Sequence, residues 1–344
     1  MLLERSTTVK AKPSPPRRRR AAGLLAAGGA LLLVTAASVA FGAKSISPDG
    51  IWHGLFAYTG TDTDVVIRDV RLPRTVLGLL CGAALGLAGA VMQALTRNPL
   101  ADPGLLGVNA GASAAVVSAI SFLGVTSLTG YVWFAFLGAA VVAAGVYALG
   151  GSRAATPVRL ALAGTAVTAA LYGYVNAVAL LDTAALDRMR FWSVGSIAAA
   201  NPDVIRQVAP FLVVGMLLAL ALARPLNAIA LGDDAARALG AHITRTRVLA
   251  MVAVTLLCGA ATAACGPIVF VGLIVPHAVR ALTGPDMRWV LPYAMLLAPV
   301  LLLGADVVGR LVTRPSELQA GIVTSLIGGP VFIHLVRGRR TAHL

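Results

Sequence analysis

The sequence predicts an all-α protein, a polytopic membrane helix bundle of about ten transmembrane helices, and three observations support this fold class. Hydrophobic residues make up 58% of the 344 residues, charged residues make up only 12%, and the mean hydropathy is +0.84. A soluble globular domain usually carries about 25% charged residues. Apolar segments long enough to cross a bilayer recur along the whole chain, with only short polar breaks between them.

Ten segments are predicted to span the membrane, because a helix needs about 20 apolar residues to cross the hydrocarbon layer. They are residues 22–42, 74–95, 105–124, 131–150, 157–181, 205–223, 246–264, 267–283, 290–310 and 319–337. The eighth has the weakest pattern, since Pro267 and Pro276 interrupt it. The first follows Arg17–Arg20 and resembles a signal peptide, but its apolar run is longer than a typical signal core, so we predict an uncleaved helix.

The polar segments divide the chain into three parts and indicate its orientation. Residues 1–21 are predicted to be a disordered basic tail, residues 22–338 a single transmembrane domain, and residues 339–344 a second short tail. Ten spans place both tails on one side, together with nineteen of the 28 lysines and arginines. The positive-inside rule makes that side cytoplasmic, in the cytoplasmic membrane.

The net charge of +14 therefore indicates membrane orientation and contact of the first tail with anionic lipid. It does not form the continuous basic stripe that nucleic acid binding requires, so we expect no nucleic acid partner. Small residues in the spans are predicted to pack in the core. They include Gly82, Gly86 and Gly89 on one side of the second span, and the cysteines Cys81, Cys258 and Cys265.

The distribution of acidic residues bears on the energy source of a transporter with this fold. Ion-driven carriers usually need ionisable groups at mid-membrane depth. Of the 14 acidic residues, only Asp306 lies within an apolar run, near one end of the ninth span. The nearest match to a phosphate-binding loop, Gly42-Ala43-Lys44-Ser45, lacks the required glycine spacing. We expect neither enzymatic activity nor a bound cofactor or metal, and ATP with Mg²⁺ would be used by a separate ATPase subunit.

The longest predicted inner loop between spans, residues 224–245, is suited to contact such a subunit. Asp233 and Asp234 can begin a short helix there, and Gly240 can end it. A simple connector between two spans is the alternative.

Several segments, in this order along the chain, resemble a known family. Arg71-Leu-Pro-Arg74, Asn98-Pro-Leu-Ala-Asp-Pro-Gly104, Leu231–Gly240 and Gly266–His277 are similar to segments of the binding-protein-dependent permeases of iron-siderophore and cobalamin importers. The resemblance covers about residues 65–338 and is closer to the ferric-siderophore permeases. It implies the type II permease architecture of ATP-binding-cassette importers. It also implies that the ATPase contacts a coupling loop at Leu231, Gly232, Asp233, Asp234, Ala235, Arg237, Leu239 and Gly240.

The resemblance also implies partners. They are a second permease subunit (a sister chain or a second copy), two ATP-binding-cassette subunits on the cytoplasmic side, and an extracytoplasmic siderophore-binding protein. The same machine importing cobalamin or haem is an alternative, and an ion-gradient-driven carrier is an alternative of a different class.

Two sets of site residues follow from the resemblance. Arg71, Arg74 and Arg310 match outer arginines that pair with acidic residues of the binding protein, and interfacial anchoring of helix ends is the alternative. Asp306 lies one helical turn before Arg310 and is expected to orient it. The second set is the cytoplasmic gate, predicted at Asn98 and Leu100 in a proline-containing turn, and at Thr156 and Pro157.

Overall fold

The computed structural model describes residues 16–150 and 157–340, and all regular secondary structure in these ranges is helical. The α-helices are α1 (Arg17–Ala40), α2 (Pro48–Phe56), α3 (Asp62–Val65), α4 (Leu72–Leu95), α5 (Val108–Leu123), α6 (Leu128–Leu149), α7 (Pro157–Leu181), α8 (Thr183–Trp192), α9 (Pro202–Ala221), α10 (Ala223–Ala230), α11 (Asp233–Ala238), α12 (Ile243–Cys265), α13 (Val271–Thr283), α14 (Met287–Val312) and α15 (Ala320–Arg340). A π-helical segment, Val66–Arg71, leads into α4, and a 3-10 turn, Pro103–Leu106, precedes α5.

Each of the ten predicted spans corresponds to one helix, so the predicted fold class is confirmed. The spans are, in order, α1, α4, α5, α6, α7, α9, α12, α13, α14 and α15. In the described part of the chain, seven helices are long and apolar enough to cross a membrane. The remaining three spans match the shorter apolar helices Val108–Leu123, Val271–Thr283 and Ala320–His334.

The eighth span starts later than predicted, because its first residues form an irregular segment. Gly266 and Phe270 both have a φ of 70°, and the α-helix begins only at Val271. Part of the backbone nearby is paired within the protein, since the Ser196 N–H donates to the Cys265 carbonyl at 2.7 Å. Such non-helical backbone is tolerated at membrane depth where protein buries it or where it lines a water-filled cavity.

The centre of the bundle is α4, which packs against α14, α12, α13 and α9. Close packing depends on its glycines, as predicted. A Cβ atom on Gly89 would lie 1.8 Å from the carbonyl oxygen of Gly272 in α13, so a larger residue would collide with backbone. The three cysteines are buried and are not disulfide-bonded, and the sulfur atoms of Cys81 and Cys265 lie 3.3 Å apart between α4 and α12.

Both predicted tails are shorter than expected. Residues Arg17–Arg20, assigned to the disordered tail, form the first turn of α1. Arginine is a good helix former, and this turn is held by α14, since the Tyr293 hydroxyl donates to the Arg20 carbonyl at 2.5 Å. At the other end of the chain, α15 continues to Arg340. Residues 1–15 and 341–344 lie outside the described ranges.

The short helices outside the spans were not predicted, apart from α11. Helices α2, α3 and α8 are each begun by a side-chain cap, supplied by Ser47, Thr61 and Asp182. Helix α10 follows α9 after a break at Leu222 and packs on α4 and α14. These elements are too short for an apolar pattern to distinguish them from loops, because caps and tertiary contacts determine them.

Candidate functional sites at the two ends of the bundle

Two groups of charged residues lie at opposite ends of α4. A helix of 24 residues is about 36 Å long. We call the end that contains Arg74 the arginine end, and the opposite end, which contains α10 and α11, the short-helix end. The arginine cluster is the set Arg71, Arg74, Asp306, Arg310 and Glu317.

Asp306 is the centre of the arginine cluster. Its carboxylate accepts hydrogen bonds from Nε and Nη2 of Arg74, at 3.1 Å and 2.7 Å, and lies 2.9 Å from Nη2 of Arg310. Arg74 also donates to Glu317 at 2.6 Å. The Asp306 side chain is fully buried, and those of both arginines are at most 4% exposed. A buried carboxylate with two guanidinium partners stabilises the packing of α4 on α14, provided that every partner remains.

Further donors of Arg71 and Arg310 bind backbone at the end of α1. Arg71 donates to the carbonyls of Val39 and Ala40 at 2.8 Å and 2.7 Å. Arg310 donates to the carbonyls of Ser38 and Phe41 at 3.0 Å and 2.9 Å. The last four carbonyls of a helix have no partner within that helix, and the negative end of the helix dipole attracts cations. This explains why Arg71, which binds carbonyls instead of a carboxylate, is stable here.

The three arginines thus anchor helix ends, which is the alternative role, and their contact with a binding protein stays a prediction. Arg71 and Arg74 are each 3% exposed and Arg310 is 1% exposed, because they bind groups within the chain. The predicted pairing of Asp306 with Arg310 is confirmed.

The predicted contact surface for an ATPase lies at the short-helix end. Helix α11 forms where expected, and Gly240 follows it with a φ of 77°. Leu231 and Leu239, on either side of α11, are 65% and 67% exposed. Asp234 and Arg237 are also exposed and pair with each other at 3.0 Å. Helix α11 therefore presents an exposed surface with apolar and charged groups.

Asp233 does not cap α11, although it is the first residue of the helix. Its carboxylate instead binds two arginines from other elements. One is Arg97, which follows α4, and the other is Arg247 in α12, whose Nη2 lies 2.9 Å from the carboxylate. Burial raises the pKa of Asp233, but the hydrogen bond from Arg97 and the charge of Arg247 outweigh burial, so that its pKa lies below the usual range. Sequence analysis assigned no role to Arg97 or Arg247.

The predicted gate turn has the expected non-helical shape. The Asn98 side-chain oxygen accepts a hydrogen bond from the Leu100 N–H at 3.0 Å, and the Asn98 carbonyl accepts one from the Ala101 N–H at 3.1 Å. Both bonds close tight turns around Pro99. Pro157, in the second predicted gate element, is the first residue of α7, and Thr156 lies outside the described residues.

A half-open cavity of about 490 Å³ lies between α7 and α15. Backbone from the irregular segment before α13 contributes to its wall, together with hydroxyl and amide side chains. Its lining residues are Asn109, Tyr172, Ser193, Val194, Pro267, Val269, Gly321, Ile322, Ser325 and Leu326. Helix α7 also exposes Thr165, Tyr174 and Asn176, which suit water or another protein better than lipid.

A bundle of this kind, with irregular backbone at the wall of a cavity and exposed short helices at one end, has the architecture of a transport permease. The chain belongs to the FecCD transport family, whose sequence profile matches residues 30–338.

Individual relatives and a solved structure agree with this assignment. The ferric enterobactin transport system permease protein FepD of Escherichia coli K12 is 48% identical over 310 residues, which cover 88% of this chain and 91% of FepD. The probable siderophore transport system permease protein YfiZ of Bacillus subtilis 168 is 38% identical, covering 88% of this chain and 91% of YfiZ. An inward-facing metal-chelate type ABC transporter matches with a TM-score of 0.81 and 28% identity, covering 92% of this chain and 99% of that one. The fold is that of a type II ABC importer permease.

Proposed function

We propose that this chain is the membrane-spanning permease subunit of an ATP-binding-cassette importer that carries a ferric siderophore across the cytoplasmic membrane. The main support is the 48% identity to a ferric enterobactin permease along nearly the whole length of both chains. The cavity between α7 and α15 adds a second argument, because a mostly apolar wall with a few polar groups, here on Tyr172, Ser193 and Ser325, is typical of a site for a small organic ligand.

The proposed importer contains two permeases, which enclose the transport path between them. The exposed polar groups of α7 support a partner on this face, since polar side chains at membrane depth usually face protein or a water-filled cavity. A second copy of this chain or a sister permease can occupy that position. An extracytoplasmic siderophore-binding protein delivers the chelate to the pair.

Two ATPase subunits, which bind ATP and Mg²⁺, contact the short-helix end in this proposal. The exposed leucines Leu231 and Leu239 flank α11, and a short helix with apolar anchors fits into a groove on a partner protein. Arg17–Arg20 at the start of α1 pack near the start of α14, which contacts α10, so they belong to this same end. The positive-inside rule then makes the short-helix end cytoplasmic, with both termini on that side.

The proposed mechanism is conformational, and no residue of this chain forms or breaks a covalent bond. ATP binding closes the ATPase subunits, α11 transmits the movement, and the paired bundles alternate between openings on the two sides. The turn at Asn98 and Leu100 is the proposed cytoplasmic gate. Asp306 does not act as an ion relay in this proposal, because Arg74 and Arg310 hold its carboxylate.

The arginine cluster has an indirect role in docking of the binding protein. Because Arg71, Arg74 and Arg310 are buried, we infer that they fix the ends of α1, α4 and α14 as a platform instead of touching the binding protein. Exposed neighbours such as Arg314 are then available for charge pairing at the platform surface.

The test is uptake of a radiolabelled ferric siderophore into vesicles that contain the purified complex with its ATPase and binding protein. We expect uptake that requires ATP, and no uptake by this chain alone under any imposed ion gradient. Uptake by the isolated chain would contradict the proposal. ATP-dependent uptake of labelled haem or cobalamin, with no uptake of labelled ferric siderophore, would show that the cargo is wrong although the machine is right.

A further inference from the structure

We propose that Arg97 is a positioning residue that connects α11 mechanically to the gate turn. The inference rests on the proposed function, in which α11 contacts the ATPase and the turn at Asn98 and Leu100 is the gate. It assigns to a single side chain the step between ATPase movement and gate movement.

The contacts of Arg97 join the gate turn to both short helices. Its Nε donates to the carbonyl of Ile229, near the end of α10, at 2.9 Å, and its Nη2 binds the carboxylate of Asp233 at the start of α11. The planar guanidinium thus spans the junction between α10 and α11. Arg97 is the residue immediately before Asn98, so a displacement of α11 acts on the gate turn through one residue.

The backbone at Arg97 supports a role for its side chain. Its φ is 51°, in the left-handed region where helices commonly end with glycine. A residue other than glycine or asparagine has a strained backbone in this region. The gate turn follows directly, with the Asn98 N–H bonded to the Gln93 carbonyl at 3.2 Å. An arginine in this position is favourable because its side-chain contacts offset the strain.

The partner of Arg97 is shared with the start of α12. The Asp233 carboxylate also binds Arg247, so one carboxylate links the gate turn, α11 and a transmembrane helix. The side chains of Arg97 and Asp233 are 39% and 30% exposed. Charge pairs with this exposure can break and re-form during a transport cycle, unlike pairs in the core.

The experiment uses the complete importer in vesicles, with its ATPase and binding protein. The central variant is Arg97→Gly, which removes the side chain and suits the left-handed backbone, so that loss of fold is not expected. Three quantities are measured: the amount of co-purified ATPase subunit, the rate of ATP hydrolysis, and the chelate imported per ATP hydrolysed. Arg206→Ala is the matched control, because Arg206 pairs with Asp203 on exposed surface at the arginine end.

We expect Arg97→Gly to keep the ATPase subunit and its hydrolysis, while the chelate imported per ATP falls about five- to tenfold. Arg97→Lys should have an intermediate effect, since a single ammonium group cannot span the same two acceptors. Asp233→Ala should resemble Arg97→Gly, and the double variant should be no worse than the more severe single variant. The control should match the wild type.

Three results would overturn the inference. They are an unchanged import ratio in Arg97→Gly, loss of the ATPase subunit together with hydrolysis, and multiplication of the two single effects in the double variant. If the wild-type complex itself imports no chelate, the proposed function is wrong and the inference falls with it. The wild-type measurement therefore separates the two failures.

Discussion

The two ends of the bundle contain the same kind of ion-pair cluster, but its side chains are buried at one end and partly exposed at the other. At each end one aspartate is shared by two arginines: Asp306 by Arg74 and Arg310, and Asp233 by Arg97 and Arg247. The side chains of the first group are 0–4% exposed, whereas those of the second are 21–39% exposed. Because burial removes the competition of water, the first group fixes helix ends rigidly, and the second can rearrange at low cost.

The strongest test of this contrast is charge reversal at the arginine end. Arg71→Glu combined with Arg74→Glu would bury two further carboxylates beside Asp306 and Glu317. We expect a destabilisation of more than ~5 kcal/mol, enough to prevent recovery of folded protein from membranes. The measurement is the yield of monodisperse chain in mild detergent, with Arg206→Glu as the control. A folded double variant with a specific defect in binding-protein contact would instead support exposed docking arginines.

A single deletion at the arginine end should have the next largest effect. Asp306→Ala removes the buried carboxylate that Arg74 and Arg310 share, leaving Arg74 with Glu317, and should destabilise the chain by about 3–5 kcal/mol. Asp203→Ala is the matched control, because the pair of Asp203 with Arg206 is exposed, and should cost at most about 1 kcal/mol. Unfolding in a denaturing detergent measures both. Equal stabilities of the two variants would contradict a fixed arginine end.

Helix α4 runs between the two ends, and its close contact with α13 should tolerate little change. Gly89→Ala places a methyl group against the Gly272 carbonyl and should cost about 1–3 kcal/mol by forcing the helices apart. Gly29→Ala in α1 is the control, since a Cβ atom there has open space. The same unfolding measurement applies. If Gly89→Ala proves as stable as Gly29→Ala, α4 packs on α13 less tightly than a contrast between a fixed end and a movable end requires.

The sequence predicts the ten spans well because each depends on its own apolar run. It also predicts the Asp306 and Arg310 pair, since four residues separate them on one helix. Arg74 and Asp306 are 232 residues apart in the sequence, so no local pattern predicts their contact. The burial of Arg71 depends on the unpaired carbonyls at the end of α1, which become visible only when helix packing is known.

At the short-helix end, too, the sequence predicts the local structure but not the tertiary contacts. The acidic start and the glycine end of α11 are local signals, and the helix forms as predicted. The role of Asp233 could not be predicted correctly, because a carboxylate at a helix start usually caps that helix. Here it binds Arg97 and Arg247, which α4 and α12 bring to it. Because of tertiary packing, Asp233 joins helices instead of capping α11.

The smallest expected effect is that of Asp233→Ala on the stability of the isolated chain, at most about 1 kcal/mol. This effect should shrink between about 0.1 M and 1 M salt, as the Debye length falls from about 10 Å to 3 Å, whereas the effect of Asp306→Ala should persist. Because the folded-state pKa of Asp233 is lowered, its contribution is complete above the unfolded pKa and is lost as the pH falls through the folded value. Unfolding of both variants at two salt concentrations tests the difference. Equal salt sensitivity would mean that water reaches both aspartates alike, and the contrast between a fixed end and a movable end would fail.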